Sequence, residues 1–208
     1  MPSTTSSRED MMPAQEERAR VEPAREEPAL EGTVAFAEVA TPVGPFVLAV
    51  TEIGIVASGW ASGRVSAPGS HARLAGRLEL AEVHDADRTA FAVAELNAYF
   101  AGELKTFETP IDWRLMSGSR LRVLRALHGV PYGTAVTYGE LAGLAGSSVP
   151  ARGIGSIMGS NPIPIVVPCH RVIAAGKGLG GFSGGEGVET KRWLLTHEGY
   201  LPPSLLDL

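Results

Sequence analysis

Three short apolar runs begin directly after a polar N-terminal segment and limit what this chain can fold into. The runs are VAFAEVA, FVLAVT and IVASGW, and the turn-forming stretches TPVGP and EIG separate them. This pattern predicts a small antiparallel meander from residue 33 onward. We expect a Gly-, Ser- and Ala-rich loop to follow. DRTAFAVAELNAYFAGE then predicts an amphipathic helix that ends near Gly102 and buries Phe91, Leu96, Tyr99 and Phe100.

The first 32 residues differ from the rest because they contain almost no large apolar side chain. They carry eight acidic and four basic residues, and such a segment cannot bury enough apolar surface to offset its ordering entropy. We therefore expect residues 1–32 to form a disordered acidic tail. The chain has no apolar signal-peptide core and no apolar run of membrane-spanning length, which predicts a cytoplasmic protein with no membrane partner.

The chain from residue 117 onward predicts a second, mainly helical unit. SRLRVLRALHG has leucines at helical spacing, and TYGELAGLAG opens with a capping box of Thr137 and Glu140. A further short helix in VPARGIGSIMGSN follows the linker GSSV, so the pair predicts a helix-turn-helix. The three prolines of NPIPIVVPCH exclude a helix, and we expect an extended chain there that leads into Cys169. GVETKRWLLTHEG predicts a last helix that ends at Gly199.

These elements together predict an α+β fold with two domains. Residues 33–116 would form a small N-terminal α/β domain with a short antiparallel sheet, and residues 117–208 a winged-helix-like, helix-turn-helix domain. Residues 117–194 carry eight basic and three acidic side chains, in a chain of net charge −5. A basic segment in an acidic protein favours a face that meets an anion, although chance segregation of solvated charge explains it equally well.

Cys169 is the only cysteine of the chain, so the chain has no internal disulfide. A free cysteine is usually a small buried hydrophobic residue, but His170 and Arg171 follow this one directly. A thiol reacts as the thiolate, which needs a base or a positive charge nearby. Adjacent side chains point apart in regular structure, so His170 would act through a water, with a carboxylate orienting its ring. One cysteine with scattered histidines gives no metal-ligand spacing, and we predict no metal site.

Four motifs in sequence resemble the O6-alkylguanine-DNA alkyltransferases, also called methylated-DNA–protein-cysteine methyltransferases. They are PYGTAVTYGELA, ARGIGSIMGSN, GSNPIPIVVPCHRVI, and GGFSGG followed by KRWLLTHEG. ELNAYFAGELKTF is also similar to the end of the family's N-terminal domain, so the resemblance covers roughly residues 41–200. It implies direct DNA repair without a cofactor. The alkyl group of O6-alkylguanine in double-stranded DNA would pass irreversibly to Cys169, with O4-alkylthymine an open second substrate.

The resemblance also implies the catalytic roles. His170 would take the thiol proton through a water, and Glu198 would orient His170. Asn161 would brace the turn that carries the cysteine. Tyr138 would help to rotate the damaged nucleotide and would protonate the leaving guanine.

Further matched positions imply how DNA and the damaged base are held. Arg152 would fill the gap left by the flipped base, and small Ala151 and Gly155 would allow close approach to the minor groove. Arg171 is also expected to contact DNA. The guanine pocket is expected to be lined by Ser183, Phe182 and Val172. The protein would bind as a monomer.

Two functions of other classes remain open at the level of sequence. A damage sensor would bind alkylated DNA without becoming alkylated, although relatives of that kind replace the cysteine that is present here. A cysteine acyl hydrolase would also need a Cys, a His and an orienting group. It would not explain a helix-turn-helix immediately before the nucleophile.

Overall fold

The computed structural model describes residues 32–61, 69–146 and 149–203. Almost all of the predicted acidic tail, residues 1–31, lies outside the described residues, as does part of the linker GSSV. The described chain folds as predicted into an α+β arrangement, with a small sheet first and a mainly helical part after it.

The N-terminal sheet contains the three predicted strands and one that was not predicted. β1 (Thr33–Val39), β2 (Phe46–Thr51) and β3 (Ile55–Trp60) pair as the expected antiparallel meander. β4 (Ala81–Val83) adds in parallel to β1 and gives the order β3-β2-β1-β4. β3 is therefore an edge strand, and this places it beside the second half of the chain.

The predicted Gly-, Ser- and Ala-rich loop is wrong for residues 70–83, because α1 (Ser70–Leu78) and β4 occupy this stretch. α1 has no side-chain cap at its N-terminus, and its sequence SHARLAGRL gives a weak local signal. It is stabilised instead by packing, since Ala75 and Leu78 join one face of the sheet at Val34 and Val56. Tertiary packing commonly supplies most of the stability of so short a helix.

α2 (Ala86–Phe100) covers the opposite face of the sheet and begins at Asp85, whose side chain accepts a hydrogen bond from the Arg88 amide. Its buried stripe includes Leu96 and Tyr99, both fully buried. Phe91 is 55% exposed, so its predicted burial is wrong. The buried stripe runs through positions 92, 96 and 99, and Phe91 is rotated about 100° from the first of them.

The second half contains α3 (Gly118–His128), α4 (Tyr138–Leu144), α5 (Ala151–Gly159) and α6 (Val188–His197). The predicted capping box of Thr137 and Glu140 is confirmed, with the hydroxyl and the carboxylate each accepting from the other residue's amide. β5 (Val136–Thr137) and β6 (Val172–Ile173) form a small parallel pair. Short 3₁₀ turns span Trp113–Leu115, Cys169–Arg171 and Ala175–Lys177.

The two halves share one hydrophobic core. Side chains from the sheet, α2 and all four later helices belong to a single buried cluster, among them Phe46, Leu96, Leu124, Ile154 and Leu194. A shared core fixes the position of the sheet relative to the helix-turn-helix. Over the described ranges, no helix is both long and apolar enough to cross a membrane.

The NPIP segment is held by the edge strand β3. The Ser58 amide donates to the Pro162 carbonyl at 2.8 Å, and the Ser58 hydroxyl donates to the Pro164 carbonyl at 3.0 Å. The predicted extended chain is wrong here, because Ile165 adopts a φ of 73° and the Val167 amide closes a turn onto the Ile163 carbonyl at 2.9 Å. The prolines exclude a helix but leave tight turns available.

Candidate active site

Cys169 begins a 3₁₀ turn at the base of a cleft of about 1140 Å³. Its side chain is almost fully buried but borders this cleft. Tyr138 and Gly155 line the cleft from the helix-turn-helix, and Phe182 and Ser183 line it from the glycine-rich loop. Asn161 lines it as well, so the structure brings the predicted nucleophile together with five of the other predicted site residues.

Asn161 holds the turn that precedes the cysteine. Its side-chain amide donates to the Val167 carbonyl at 2.7 Å, and its carbonyl oxygen accepts from the Ile163 amide at 3.1 Å. One polar side chain thus fixes the turn that carries Cys169.

His170 is fully buried and faces Glu198, with its Nε2 2.7 Å from a carboxylate oxygen. A carboxylate accepts the proton of Nε2, so the neutral ring carries its lone pair on Nδ1. This Nδ1 is buried and forms no hydrogen bond with any described residue. Burial lowers the pKa of His170 despite the opposing effect of Glu198. A neutral imidazole with an unprotonated Nδ1 is the form that can accept a proton.

Glu198 is the centre of a buried polar network. It accepts from Arg171 through Nε at 2.8 Å and Nη2 at 2.9 Å, and from the Tyr99 hydroxyl at 2.8 Å. Burial alone would raise the pKa of this carboxyl, but hydrogen bonds and charge from His170 and Arg171 outweigh it and lower the pKa to about 2. The carboxylate is therefore ionised at neutral pH and can hold the ring of His170 in one orientation.

Arg171 does not fit its predicted role as a DNA contact. It is only 6% exposed, and its remaining Nη1 donates to the Val130 carbonyl at 2.6 Å. The guanidinium is thus used to balance the buried charge of Glu198. In a 3₁₀ turn, the direction of each side chain depends on the packing around it, which the sequence CHR does not give.

Val172 also differs from its predicted place in the substrate pocket. Its side chain is fully buried in the shared core, and its backbone pairs with Val136 in the small parallel sheet. The carbonyl of Val172 accepts a hydrogen bond from Lys191. Val172 therefore supports the pocket from behind and does not line the cleft.

Lys191 is a further residue near Cys169 and was not predicted from the sequence. It is fully buried, and burial lowers its pKa to about 8, opposed by the charge of the Cys169 thiolate. Burial also raises the pKa of Cys169, whereas Asn161 and Lys191 act against that rise. The sequence does contain a signal for its burial. Lys191, Leu194 and Leu195 stand at helical spacing, which places the lysine on the buried face of α6.

Glycines let the loop after Cys169 close one wall of the cleft. A Cβ at Gly180, whose φ is 70°, would lie 3.1 Å from the Tyr138 hydroxyl. A Cβ at Gly184 would overlap the indole of Trp60. This indole packs edge-to-face against Phe182, with 5.9 Å between the two ring centroids. Burial and the nearby Cys169 raise the pKa of Tyr138, so its hydroxyl stays protonated.

α5 presents small and basic residues beside the cleft. Ala151 and Arg152 are exposed in its first turn, and Gly155 lines the cleft one turn later. Positions 152 and 155 lie on one helix face. Arg152 therefore lies on the same face as the cleft-lining Gly155, one turn further out. Among the residues that the structure describes, no group of three or more His, Cys, Asp or Glu side chains could hold a metal ion.

Family models match both halves of the chain. The DNA binding domain of 6-O-methylguanine DNA methyltransferase matches residues 119–200, and the ribonuclease-like domain of the same protein matches residues 34–113. The chain belongs to this family. Its members named methylated-DNA–protein-cysteine methyltransferases are enzymes of DNA repair that move an alkyl group to a cysteine.

Relatives and solved structures agree with this assignment. The methylated-DNA–protein-cysteine methyltransferase of Mycobacterium tuberculosis is 46% identical over 117 residues, which are 56% of this chain and 69% of the relative. The human protein of that name is 39% identical over 113 residues, or 51% of this chain and 54% of its own. A crystal structure of M. tuberculosis O6-methylguanine methyltransferase has a TM-score of 0.64 at 34% identity and covers 84% of this chain and 98% of its own.

A second similar structure was solved with DNA bound. M. tuberculosis OGT in complex with DNA has a TM-score of 0.65 at 34% identity and covers 81% of this chain and 95% of its own. Together with the matched DNA binding domain, this makes DNA the partner of the chain.

Proposed function

We propose that this chain repairs O6-alkylguanine in double-stranded DNA, with Cys169 as the irreversible acceptor. The observation that carries the proposal is the arrangement at the base of the cleft. A buried thiol lies there next to His170, whose Nε2 is held by ionised Glu198 and whose Nδ1 can accept a proton. This is a nucleophile, a base and an orienting group in the order that alkyl transfer requires.

The transfer is a displacement at a saturated carbon. The Cys169 sulfur forms a bond to the alkyl carbon while the bond from that carbon to guanine O6 breaks. The thiol proton passes through a water to His170, and Tyr138 donates a proton to the leaving guanine. Proton return from His170 to Tyr138 restores both side chains, so the net products are guanine and S-alkylcysteine.

One chain repairs one base. A thioether is a poor leaving group, so the alkyl group stays on Cys169. The raised pKa of Cys169 keeps the resting thiol protonated, which limits side reactions until a substrate occupies the cleft. The protein is therefore inactivated by the reaction, because its product is a stable S-alkylcysteine.

The damaged base must leave the DNA stack to reach Cys169, at a cost of a few kcal/mol. We infer that α5 binds the minor groove, because exposed Ala151 and cleft-lining Gly155 allow the DNA backbone to approach closely. Arg152 would occupy the gap left in the stack, and Tyr138 would meet the rotated nucleotide. Ser183 and Phe182 would line the pocket around the guanine.

Every side chain of this scheme comes from one chain, which supports a monomer as the active form. The compartment proposed is the cytoplasm, where thiols are kept reduced. A nucleophilic cysteine that is used once has to remain a free thiol until its substrate arrives.

The function is tested by mixing the protein with a duplex that carries one O6-methylguanine and counting the repaired bases. We expect repair to stop at one base per chain and to vanish in Cys169→Ser. A sensor would bind the duplex and leave the methyl group on it, and an acyl hydrolase would turn over an activated ester while ignoring the duplex. Repair well beyond one base per chain would also contradict the proposal.

His170→Ala tests the base. General-base catalysis typically contributes 10²–10⁴-fold, so we expect methyl transfer to slow by roughly that factor. Binding to the duplex should change little, because His170 is fully buried and offers no surface to DNA. Single-turnover rates and fluorescence anisotropy separate the two effects. A wild-type transfer rate would show that another group takes the thiol proton.

A further inference from the structure

The cleft that holds Cys169 has a basic wall contributed by the N-terminal domain. Ser70, Arg73, Leu74 and Arg77 of α1 all line it. They stand at positions i, i+3, i+4 and i+7 and so form one face of the helix. Arg120 lines the same cleft from the first turn of α3.

This wall is cationic without compensation from acidic side chains. No Asp or Glu is among the described residues that line the cleft. Within the described ranges, Arg73, Arg77 and Arg120 form no salt bridge, although the chain carries a net charge of −5. An acidic protein that collects three guanidinium groups on one wall with no carboxylate has a surface suited to an anion.

Arg120 shows that the basic charge is partly desolvated. Its Nη2 donates to the Ser160 carbonyl, and its Nε is buried without a partner among the described residues. Burial and the charge of Arg77 lower the pKa of Arg120, and both guanidinium groups line the same cleft. An anion bound between them could accept a hydrogen bond from each.

We propose that Arg73 and Arg77, with Arg120 behind them, bind a backbone phosphate of the DNA strand that carries the damaged base. The inference rests on the proposed function, because an extruded nucleotide carries its flanking phosphates to the mouth of the cleft. Arg73 and Arg77 are exposed and can reach a polyanion that lies across that mouth. The N-terminal domain is then part of the DNA interface, opposite the contacts made by the helix-turn-helix.

The test compares two double variants of the full chain, Arg73→Gln with Arg77→Gln, and Arg122→Gln with Arg192→Gln. Both remove two positive charges from exposed side chains, but Arg122 and Arg192 do not line the cleft. Each phosphate contact contributes about one unit to the slope of log affinity against log salt. We expect the first pair to flatten this slope by about one unit, because it removes one phosphate contact, and the second pair to leave it unchanged.

A scan with neutral methylphosphonate linkages locates the phosphate. At one or two neighbouring linkages of the damaged strand, the neutral group should weaken binding of the wild type but not of the Arg73, Arg77 variant. Equal salt slopes for wild type and variant, or equal sensitivity to every linkage, would overturn the proposal. The single variants Arg73→Gln and Arg77→Gln should each flatten the slope by less than the double variant does, because one arginine of the phosphate site remains in each.

Failure of this inference can be told apart from failure of the proposed function. The wild type and the Arg122→Gln, Arg192→Gln variant should alkylate Cys169 with free O6-benzylguanine at the same rate, since that substrate has no phosphate and neither substituted residue lines the cleft. If the wild type repairs a methylated duplex and only the predicted slope change is missing, the phosphate site alone is wrong. If the wild type leaves the methylated duplex unrepaired, the function itself is wrong.

Discussion

Replacing Glu198 with Gln is expected to lower the free energy of unfolding by about 3–5 kcal/mol, the usual cost of removing one partner from a buried ion pair. Gln keeps the size and some hydrogen bonds of the side chain but leaves the buried guanidinium of Arg171 without a counter-charge. His170 also loses the carboxylate that fixes its tautomer. Methyl transfer should therefore slow as well, in the same direction as in His170→Ala.

Glu189→Gln is the matched control on the same helix. Glu189 is exposed and lies 3.5 Å from Arg192, so its loss should change the unfolding free energy by less than about 0.5 kcal/mol. Urea unfolding measures both variants. A stability of Glu198→Gln within that same range would show that the buried network contributes nothing net.

The Glu198 network also predicts an acid-sensitive fold. Its carboxyl has an ordinary pKa of 4.5 when unfolded and about 2 when folded. The unfolded chain therefore binds the proton first, and the stabilisation from this group is complete above pH 4.5 and disappears as the pH falls toward 2. In Glu198→Gln this part of the pH dependence should be missing from unfolding measured between pH 5 and pH 2.

Arg152→Ala is expected to lose most repair of duplex DNA, by about 10- to 100-fold, since a few kcal/mol are needed to keep a base out of the stack. Arg152 is exposed in the first turn of α5, on the helix face that continues into the cleft at Gly155. It contacts no part of the nucleophile network, so the reaction of Cys169 with free O6-benzylguanine should remain intact.

Arg152 could act as a wedge, meaning a side chain that fills the gap left by the flipped base, or as a contact to a phosphate. The two roles predict different effects of its removal on DNA binding and repair. Removal of a phosphate contact weakens binding to every duplex and flattens the salt dependence by about one unit. Loss of a wedge penalises a stacked substrate and spares one whose base is already unpaired, such as a substrate with the lesion in a single-stranded gap. Equal losses on duplex and free base would contradict the wedge and indicate a collapsed pocket.

Local signals in the sequence were sufficient for most of the secondary structure. The Thr137–Glu140 capping box and the short apolar runs between turn-forming stretches can be recognised from neighbouring residues alone. α1 and β4 could not be predicted in this way, because α1 is stabilised by the sheet face that it covers and β4 by its pairing with β1. The turn before Cys169 depends likewise on the edge strand, since Ser58 holds Pro162 and Pro164 from a distant part of the chain.

Site residues could be predicted where they belong to a recognisable sequence motif. They could not be predicted where the packing of the fold decides in which direction a side chain points. His170 and Glu198 are 28 positions apart, and only the resemblance to a family joined them before the structure did. Arg171 was predicted to contact DNA, yet it turns inward to the same carboxylate. Lys191 was overlooked because a lysine is almost never buried without a partner, and its partner is a backbone carbonyl that no sequence pattern indicates.

Peptide mass analysis after reaction with an equimolar O6-methylguanine duplex shows which residue receives the methyl group. We predict that the protein gains the mass of one methyl group in place of one hydrogen, that the modified peptide is the one that contains Cys169, and that the duplex returns to guanine at the same position. A repaired duplex with an unmodified Cys169, or a methyl group on any other residue, would contradict the account.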